Sequence, residues 1–507
     1  MDPQSFDQDA LRARRRLFVL TTAALAAGGA ALLSSCEQQR GLRRAPGSPP
    51  PPSGDPTQSS GTATATTKPT GEQKPTPEPE KAPPPTERPA PPQTEPAIRI
   101  KTGSLPKESS RLEVRGPGPS LWIVEPGSGR PGTVAEGPVE FQWTAAGWVV
   151  TELAGTPSAR RVAVPQKATI DVMPLRGEPQ WLSLKSLGSG GGSAAGQYDG
   201  GQWPGKLRLA YKPLDLAEPV DIVHEVPMET YLAGVIAKEL YNSWGVETHR
   251  AQAIAARSYA LCEMAMWTGR RHFDVYASER SQAWVGGTKH AKSLDAVAST
   301  RGEILLFTGR VVPAYYSSCC GGARASARDA ISSSILHDIP PLTVAAGDRR
   351  DCCSAAPTYR WQTKYEVADV ARTLPAWARA EGFAALLKVD GLRRIDTTAR
   401  NAAGRPVRFR ITDAKGQSFD VPAERMRWAI NADPRNPAEM RPSKERVKSA
   451  YFEPAILGRE LVLTGRGHGH GVGMCQYGAE SMAKKGAGAT AILARYYPGA
   501  SVARSYA

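Results

Sequence analysis

The chain has almost no large apolar side chain between about residues 37 and 95, where proline, threonine, serine, glutamate, glycine and glutamine dominate. A segment of this composition cannot bury enough apolar surface to fold alone. We therefore predict a Pro/Thr/Glu-rich disordered linker over residues 37–105. Its proline-rich part rises ~3.1 Å per residue when extended, so the linker spans on the order of 150 Å.

The start of the chain has the order of an export signal. Basic residues at 12–16 precede an uncharged apolar run, Leu17 to Leu33, and two serines then lead into Cys36. This order resembles a bacterial lipoprotein signal peptide, here residues 1–36, in which the cysteine is acylated. The alternative is an uncleaved transmembrane anchor, because the run is near the length needed to span a bilayer. Either way the protein is expected to be exported, anchored to a membrane, and to face the periplasm or cell wall.

Acidic residues are the minority charge, with 49 Asp and Glu against 64 Lys and Arg and a net charge of +15. In the cytoplasm such a surface would suggest nucleic acid as the partner. Outside the membrane the polyanions are lipid headgroups, wall polymers and peptidoglycan carboxylates, so we predict no nucleic-acid partner. Arg15-Arg16 also resembles a twin-arginine signal, and the sequence leaves the export route open.

Cysteine is scarce, with seven residues in 507, and no two have Cys-x-x-Cys spacing. Two vicinal pairs stand out, Cys319-Cys320 and Cys352-Cys353. An oxidising compartment favours a disulfide between the pairs, which would close a loop of roughly 30 residues and contribute a few kcal/mol. Adjacent cysteines are an awkward spacing for a tetrahedral zinc site. We therefore predict a disulfide among these four cysteines, no metal and no cofactor, with zinc as the alternative.

The rest of the chain reads as α+β. Short apolar runs separated by Gly and Pro predict a small β-rich region over residues 106–195, and a Gly-Ser stretch from Gly188 to Gly196 marks its end. Beyond it, strand runs alternate with helical segments, so residues 196–507 are predicted to form a mixed α+β domain.

Two helices carry the most informative polar residues. Apolar positions at helical spacing predict a helix from Met228 to about Leu240, with Glu239 continuing its buried stripe. A second helix is expected from Val246 to about Trp267, with Arg257 at the edge of its inner face. The two side chains are thus expected to point toward a common region.

Near the C-terminus a glycine occupies every second position from Gly465 to Gly473. Glycine permits close backbone approach to a ligand. His468 and His470 lie in this loop before a helix, where they can form a polar pocket wall. A His-x-His pair can also bind a metal, but the sequence offers no third ligand nearby.

Three segments together resemble the stage II sporulation protein D family, whose domain also occurs in amidase enhancers. They are Val226–Glu239, Ala251–Ala260 and Gly469–Ala479. The resemblance covers about residues 197–503. It implies a catalytic domain with lytic transglycosylase activity on peptidoglycan glycans, particularly strands stripped of stem peptides, giving 1,6-anhydromuramoyl ends. The alternative it implies is a non-catalytic enhancer of an N-acetylmuramoyl-L-alanine amidase, which would then be a partner.

The resemblance assigns the catalytic acid/base to Glu239, and the position of Glu239 on an apolar stripe independently predicts a raised pKa. A hydrolase would need a second carboxylate, whereas in a lytic enzyme the muramoyl C6 hydroxyl attacks its own C1. Glu247, the next acidic candidate, more simply complements a helix dipole.

The remaining motif positions are expected to contact substrate, with internal hydrogen bonds or, for Arg257, an internal salt bridge as the alternative. They are Arg257, Gln252, Tyr259, Gln282, His470 and Gln476. Cys475 replaces the serine usual in the family, and His468 replaces a common tryptophan.

Overall fold

The computed structural model describes residues 85–105, 111–175, 181–187, 201–215, 218–345, 352–437 and 439–507. Cys36, the predicted signal peptide and the predicted linker up to residue 84 lie outside these ranges. None of the helices in the described part is both long and apolar enough to cross a membrane.

The first part of the described chain is built from strands. Their bounds are β1 Ala97–Leu105, β2 Arg111–Arg115, β3 Ser120–Val124, β4 Thr133–Glu136, β5 Val139–Thr144, β6 Gly147–Glu152, β7 Arg160–Val162, β8 Ile170–Pro174, β9 Trp181–Leu187, β10 Gln202–Pro204, β11 Lys206–Tyr211 and β12 Val220–Pro227. A short strand further on, β13 Val275–Tyr276, completes one of their two sheets.

These strands form two sheets around one core. The first has the order β13-β1-β12-β11-β8-β3-β4, antiparallel except for the β1–β13 pair, and the second has the order β10-β9-β2-β5-β6-β7. Alternate residues such as Leu112 and Phe141 from the second sheet and Ile98 and Leu209 from the first belong to the same buried cluster. The strands predicted between 106 and 195 thus share their sheets with β1, β11 and β12, outside those bounds.

The last part of the segment predicted as a linker differs from that prediction. Residues 97–105 form β1, which pairs along its whole length with β12, for example Ile98 with Val226. Ile98, Ile100 and Leu105 are buried. The apolar alternation Ile98-x-Ile100 at the very end of the proline-rich segment is the reason, because it matches the two-residue period of a half-buried strand.

Three helices follow the sheets: α1 Met228–Glu239, α2 Val246–Trp267 and α3 Ala291–Ser299. The helix α1 starts directly after β12, and the Glu95 carboxylate accepts a hydrogen bond from the Glu229 N–H at 2.9 Å. A carboxylate at this position satisfies a free N–H and complements the positive end of the helix. Residues just before β1 therefore fix the start of the helix that carries Glu239.

The remaining elements complete the α+β fold. Helices are α4 Ala327–Ala330, α5 Val367–Ala380, α6 Ala423–Asn431, α7 Gln476–Ala483 and α8 Ala489–Tyr496, with 3-10 turns at Ile335–His337, Pro340–Leu342, Ala384–Leu386 and Ser443–Glu445. Strands are β14 Glu303–Phe307, β15 Arg310–Val311, β16 Tyr316–Ser317, β17 Arg360–Glu366, β18 Arg394–Arg400, β19 Pro406–Thr412, β20 Ser418–Pro422, β21 Phe452–Leu457, β22 Glu460–Arg466, β23 Met474–Cys475 and β24 Ser501–Arg504.

Two further cores lie in this part. One is formed by α2, α7, α8 and neighbouring strands, and includes Ile254, Val472 and Ile492. The other lies between residues 361 and 463, where α5 and α6 cover two three-stranded sheets, β17-β22-β21 and β18-β19-β20. The parallel pair β16–β23 brings Tyr316 beside Met474, and so joins the chain before this second core to the chain after it. The predicted α+β class is confirmed.

Candidate functional site

Glu239 is the last residue of α1 and lies partly exposed at the end of the buried face of that helix. Its Oε1 accepts a hydrogen bond from the backbone N–H of Ala283 at 3.2 Å. Its Oε2 accepts one from the side-chain amide of Gln476 at 3.2 Å. Both donors are uncharged, and no salt bridge to Glu239 forms within the described ranges. The carboxyl group is therefore held in place without a compensating cation.

Burial raises the pKa of Glu239, because a charged carboxylate is poorly solvated there. The hydrogen bonds from Gln476 and Ala283 favour the carboxylate and partly oppose this, while the negative charge of Glu279 adds to the increase. The position at a helix C-terminus also favours the neutral form. Glu239 thus keeps its proton to a higher pH than an ordinary glutamate, as a general acid requires.

The Ala283 donor is positioned by the residue before it. Gln282 accepts a hydrogen bond from the Tyr231 hydroxyl at 3.0 Å and donates to the Ala256 carbonyl at 3.2 Å and the Tyr316 hydroxyl at 2.9 Å. Its side chain is almost fully buried. Gln282 therefore fixes the backbone beside Glu239 rather than presenting an amide to a ligand.

The second donor comes from the other end of the chain. Gln476 is the first residue of α7, and its amide donates to Gln252 at 3.4 Å as well as to Glu239. Gln252 is fully buried, and its own side-chain NH₂ has no hydrogen-bond partner among the residues that the structure describes. The structure gives both glutamines internal hydrogen bonds, which the sequence left as the alternative to substrate contact.

The glycine loop holds His470 in a neutral state. The Val472 N–H donates to its Nδ1 at 3.0 Å, so this nitrogen carries no proton. Burial and the charges of Arg427 and Arg405 lower the pKa of His470 to about 3. Its ring packs edge-on against Tyr315, with ring centroids 5.9 Å apart. A neutral imidazole of this kind can serve as a pocket wall but not as a proton donor at neutral pH.

Arg257 differs from its predicted role in substrate binding. Its side chain is fully buried and forms a two-point ion pair with Glu229, at 2.9 and 2.6 Å. Its remaining nitrogen donates to the Glu303 carbonyl at 2.8 Å. The guanidinium has therefore no free donor aimed at solvent, and it forms the internal salt bridge that the sequence offered as the alternative.

A cleft of about 670 Å³ lies next to this network. Tyr259 and His470, both predicted as pocket residues, line it, whereas Glu239 does not. Ser281 and Tyr316 also line the cleft. Ser281 precedes Gln282 in the chain, and Tyr316 accepts a hydrogen bond from Gln282, so the cleft ends close to the Glu239 network. The far side comes from α5 and α6 and contributes Trp377, Glu424, Arg425, Arg427 and Trp428.

Two residues of this region were not found from the sequence. Tyr316 lies in a weaker match to the family but was not singled out as a site residue. Burial raises the pKa of its hydroxyl, and the nearby Glu239 carboxylate raises it further. Glu263 lines the cleft one helical turn after Tyr259, and burial raises its pKa too. Its spacing of four residues from Tyr259 on α2 is the signal that sequence reasoning had available.

The predicted disulfide is not formed among the six cysteines that the structure describes. The two vicinal pairs do approach each other, but the sulfurs of Cys320 and Cys353 are 3.6 Å apart, well beyond the length of an S–S bond. Cys475, which the sequence gave no partner, joins the same cluster. Cys352 instead faces the Tyr496 hydroxyl at 3.6 Å.

A family model described as stage II sporulation protein matches residues 217–307. These residues carry β12, α1, α2 and the loop with Gln282, so the match covers Glu239 and one of its two donors. Gln476 and the glycine loop lie outside it.

Three curated proteins are similar over a longer part of the chain. Stage II sporulation protein D of Bacillus subtilis is 28% identical over 299 residues, 56% of this chain and 76% of that protein. The amidase enhancer of the same organism is 26% identical over 310 residues, but these make up only 40% of its length. An uncharacterized protein of Brachyspira hyodysenteriae is 27% identical over 285 residues, 55% of this chain and 68% of that protein.

Proposed function

This chain belongs to the stage II sporulation protein D family, and we propose that it is a peptidoglycan lytic transglycosylase whose general acid and base is Glu239. The observation that carries the proposal is the setting of Glu239, a half-buried carboxyl with a raised pKa and two neutral hydrogen-bond donors. A role in the cell wall is consistent with the family, and the specific reaction is our inference.

In the proposed reaction neutral Glu239 donates its proton to the glycosidic oxygen as the bond from that oxygen to the muramoyl C1 breaks. The C6 hydroxyl of the same sugar then attacks C1, and the Glu239 carboxylate accepts the hydroxyl proton. A 1,6-anhydro ring forms, and no water is consumed. Because one group first gives and then takes a proton, a second carboxylate is not required.

The amide of Gln476 and the N–H of Ala283 serve this cycle by holding both oxygens of Glu239 in one orientation. Their hydrogen bonds strengthen when the carboxylate becomes charged, because charge-assisted bonds are the stronger ones. They therefore stabilise the state that follows proton donation. Tyr231 and Tyr316 contribute indirectly, because they hydrogen-bond to Gln282 and so help to position the Ala283 N–H that follows it.

We assign substrate binding to the cleft between α2 and α6. Trp428, which lines the cleft and is half-buried, would offer an apolar ring face to a sugar, whereas the buried Tyr259 contributes to the cleft wall. The guanidinium of Arg427 lies 4.8 Å over Trp428 and pairs with Glu424 at 2.7 Å. We expect it to bind the lactyl carboxylate of muramic acid. In this proposal Arg427, rather than Arg257, is the arginine that contacts the substrate.

Exported localisation and a lipid anchor on Cys36 are part of the same proposal. The anchor would limit cleavage to wall within reach of the linker. A Cys36→Ala chain is expected to leave the membrane fraction of the producing cells while the purified protein keeps its activity on glycan. If the Cys36→Ala chain and the unmutated chain were recovered equally in the membrane fraction, the anchor would be contradicted, and the proposed reaction would be unaffected.

The second candidate is an amidase enhancer, which the relative of that name favours. The two candidates separate in one experiment with purified full chain and two substrates. On glycan stripped of stem peptides, a transglycosylase releases anhydromuramoyl fragments alone. On intact peptidoglycan, an enhancer releases nothing alone but accelerates stem-peptide removal by an added amidase. Stimulation of the amidase with no glycan cleavage in either substrate would replace the first candidate by the second.

A further inference from the structure

Four buried cysteines meet next to the strand pair β16–β23. The sulfurs of Cys319, Cys353 and Cys475 all lie within 4.8 Å of one another. The sulfur of Cys320 lies 3.6 Å from that of Cys353. In a tetrahedral zinc–thiolate site, Zn–S bonds of ~2.3 Å place the sulfurs roughly 3.8 Å apart. The three mutually close sulfurs of Cys319, Cys353 and Cys475 therefore fit ligands that share one ion better than sulfurs bonded to each other. The sulfur of Cys320 lies outside this group of three but close to that of Cys353, so it is the candidate for a fourth ligand.

Backbone N–H groups point at these sulfurs. The Cys320 N–H donates to Cys475 Sγ at 3.3 Å, and the backbones of Gly321 and Gly322 lie close enough to the sulfurs of Cys319 and Cys353 to favour their thiolate forms. Both glycines have positive φ, 68° and 88°, which turns consecutive N–H groups toward one side. Such a concave row of donors stabilises anionic ligands, and donors of this kind orient the thiolates of metal sites.

A buried cation lies against the same turn. Arg405 is almost fully buried, and its guanidinium donates to the carbonyls of Cys320 at 3.3 Å and Ala323 at 3.4 Å. Its nearest carboxylate, Glu424, is 3.7 Å away and also pairs with Arg427. Four thiolates around a divalent ion carry a net charge of −2, so a buried arginine beside them offsets part of that charge.

We propose that Cys319, Cys320, Cys353 and Cys475 bind one structural Zn²⁺. Thiolate sulfur selects zinc over magnesium or calcium, which prefer oxygen. Binding displaces the four thiol protons into solvent, and no electron is transferred. The neighbouring thiol of Cys352 is not a ligand, because it faces Tyr496.

The ion would join three segments that are far apart in the chain. These are the turn at Cys319–Gly322, the segment that starts at Cys352, and β23, which ends at Cys475. The residue after Cys475 is Gln476, which donates to Glu239. The zinc site therefore supports one of the two donors that hold the proposed catalytic carboxyl, without itself lying in the cleft.

Metal analysis of the purified full chain tests the proposal. We expect about one zinc per chain after dialysis without chelator, and a thiolate-to-cobalt charge-transfer absorption band after exchange with Co²⁺. Cys475→Ser and Cys353→Ser should each lose the zinc and the cobalt band. Cys262→Ser is the matched control, because Cys262 is half-buried elsewhere, against the Val311 carbonyl at 3.6 Å, and it should keep both.

Two results would overturn the site. One is a native chain that contains no zinc and acquires no cobalt band. The other is a disulfide between the vicinal pairs, found by mass spectrometry of protein alkylated without reduction. The cobalt spectrum of the unmutated chain decides the question even if the cysteine variants fail to fold. A chain with zinc but with no activity on glycan would leave the zinc site standing and count against the proposed reaction alone.

Discussion

The two ends of α1 each carry a glutamate, buried at the start and half-buried at the end, and the two glutamates differ in the partners that compensate their charge. Glu229, at the start, accepts hydrogen bonds from Arg257, from the Tyr506 hydroxyl at 2.7 Å and from the Gly302 N–H at 3.3 Å. Glu239, at the end, has only the neutral donors of Ala283 and Gln476. The first is neutralised by a buried cation, and the second is not.

This difference is the one we expect between a structural carboxylate and the proposed catalytic one. A buried ion pair stays charged and fixes its neighbours, whereas a buried carboxyl without a cation keeps its proton until the pH rises further. The helix adds to the contrast, because its N-terminus favours a negative charge and its C-terminus disfavours one. Predictions that alter one end and spare the other test the distinction.

The largest effect is expected from Glu239→Gln. Loss of the only group that transfers protons should lower the rate of glycan cleavage by about 10²–10⁴-fold, with little change in the melting temperature. Rates are measured by chromatography of fragments released from stripped glycan. Glu247→Gln is the matched control, because Glu247 pairs with Arg250 at 2.8 Å on the surface of α2, and it should remain active. A fully active Glu239→Gln chain would remove Glu239 from the mechanism.

At the other end of α1, Glu229→Gln should act on stability. It leaves Arg257 as a buried cation without a counter-charge, which costs about 3–5 kcal/mol. Denaturant unfolding measures the loss, and the double variant Glu229→Leu/Arg257→Met should recover part of it. Glu225→Gln, which breaks the half-exposed pair with Lys206, should cost only ~0–1 kcal/mol. A Glu229→Gln chain as stable as the unmutated one would show that the ion pair with Arg257 does not stabilise the fold at the start of α1.

A smaller effect is expected from Gln476→Leu on the pH dependence of cleavage. The Gln476 hydrogen bond lowers the pKa of Glu239 against the effect of burial, so its removal should raise that pKa. Because the acid must be protonated, activity falls as the pH rises through the pKa of Glu239. The alkaline limb of the rate profile should therefore move to higher pH in the variant, while an acidic shift would contradict the hydrogen bond.

The smallest effect concerns stability against pH. The pKa of Glu239 is raised in the folded chain, so its neutral form contributes most below the pKa of an unfolded glutamate, ~4.3. That contribution is lost as the pH rises to the folded pKa. Glu239→Gln should thus unfold at higher denaturant concentration than the unmutated chain above this window, and the gap should close below it. A difference in unfolding midpoint between the two chains that does not change with pH would argue against a raised pKa of Glu239.

Much of the site could be predicted from the sequence because it is local. The apolar stripe of α1 places Glu239, and α2 begins and ends where its periodicity indicates, at Val246 and Trp267. The whole of β1, Ala97–Leu105, was predicted as linker, because only three large apolar residues follow a long proline-rich segment. Its role depends on pairing with β12, more than 100 residues away, which no local pattern records.

The fate of Arg257 and of the cysteines depended on contacts between distant segments. The sequence alone suggested that Arg257 faces a cleft, whereas in the fold the Glu229 carboxylate and the Glu303 carbonyl accept its hydrogen bonds. Cys475 reads as an isolated thiol until β23 pairs with β16 and brings it to Cys319 and Cys353. In both cases the residue type was informative, but the partner came from tertiary structure.

The most direct test of the proposed reaction is the source of the atoms at the new glycan ends. Stripped glycan is cleaved by the full chain in ¹⁸O-labelled water, and the masses of the fragments are measured by mass spectrometry. If the muramoyl C6 hydroxyl is the nucleophile and Glu239 moves its proton, the new ends are 1,6-anhydro sugars without ¹⁸O. One ¹⁸O atom in each new reducing end, or no cleavage at all, would contradict the account.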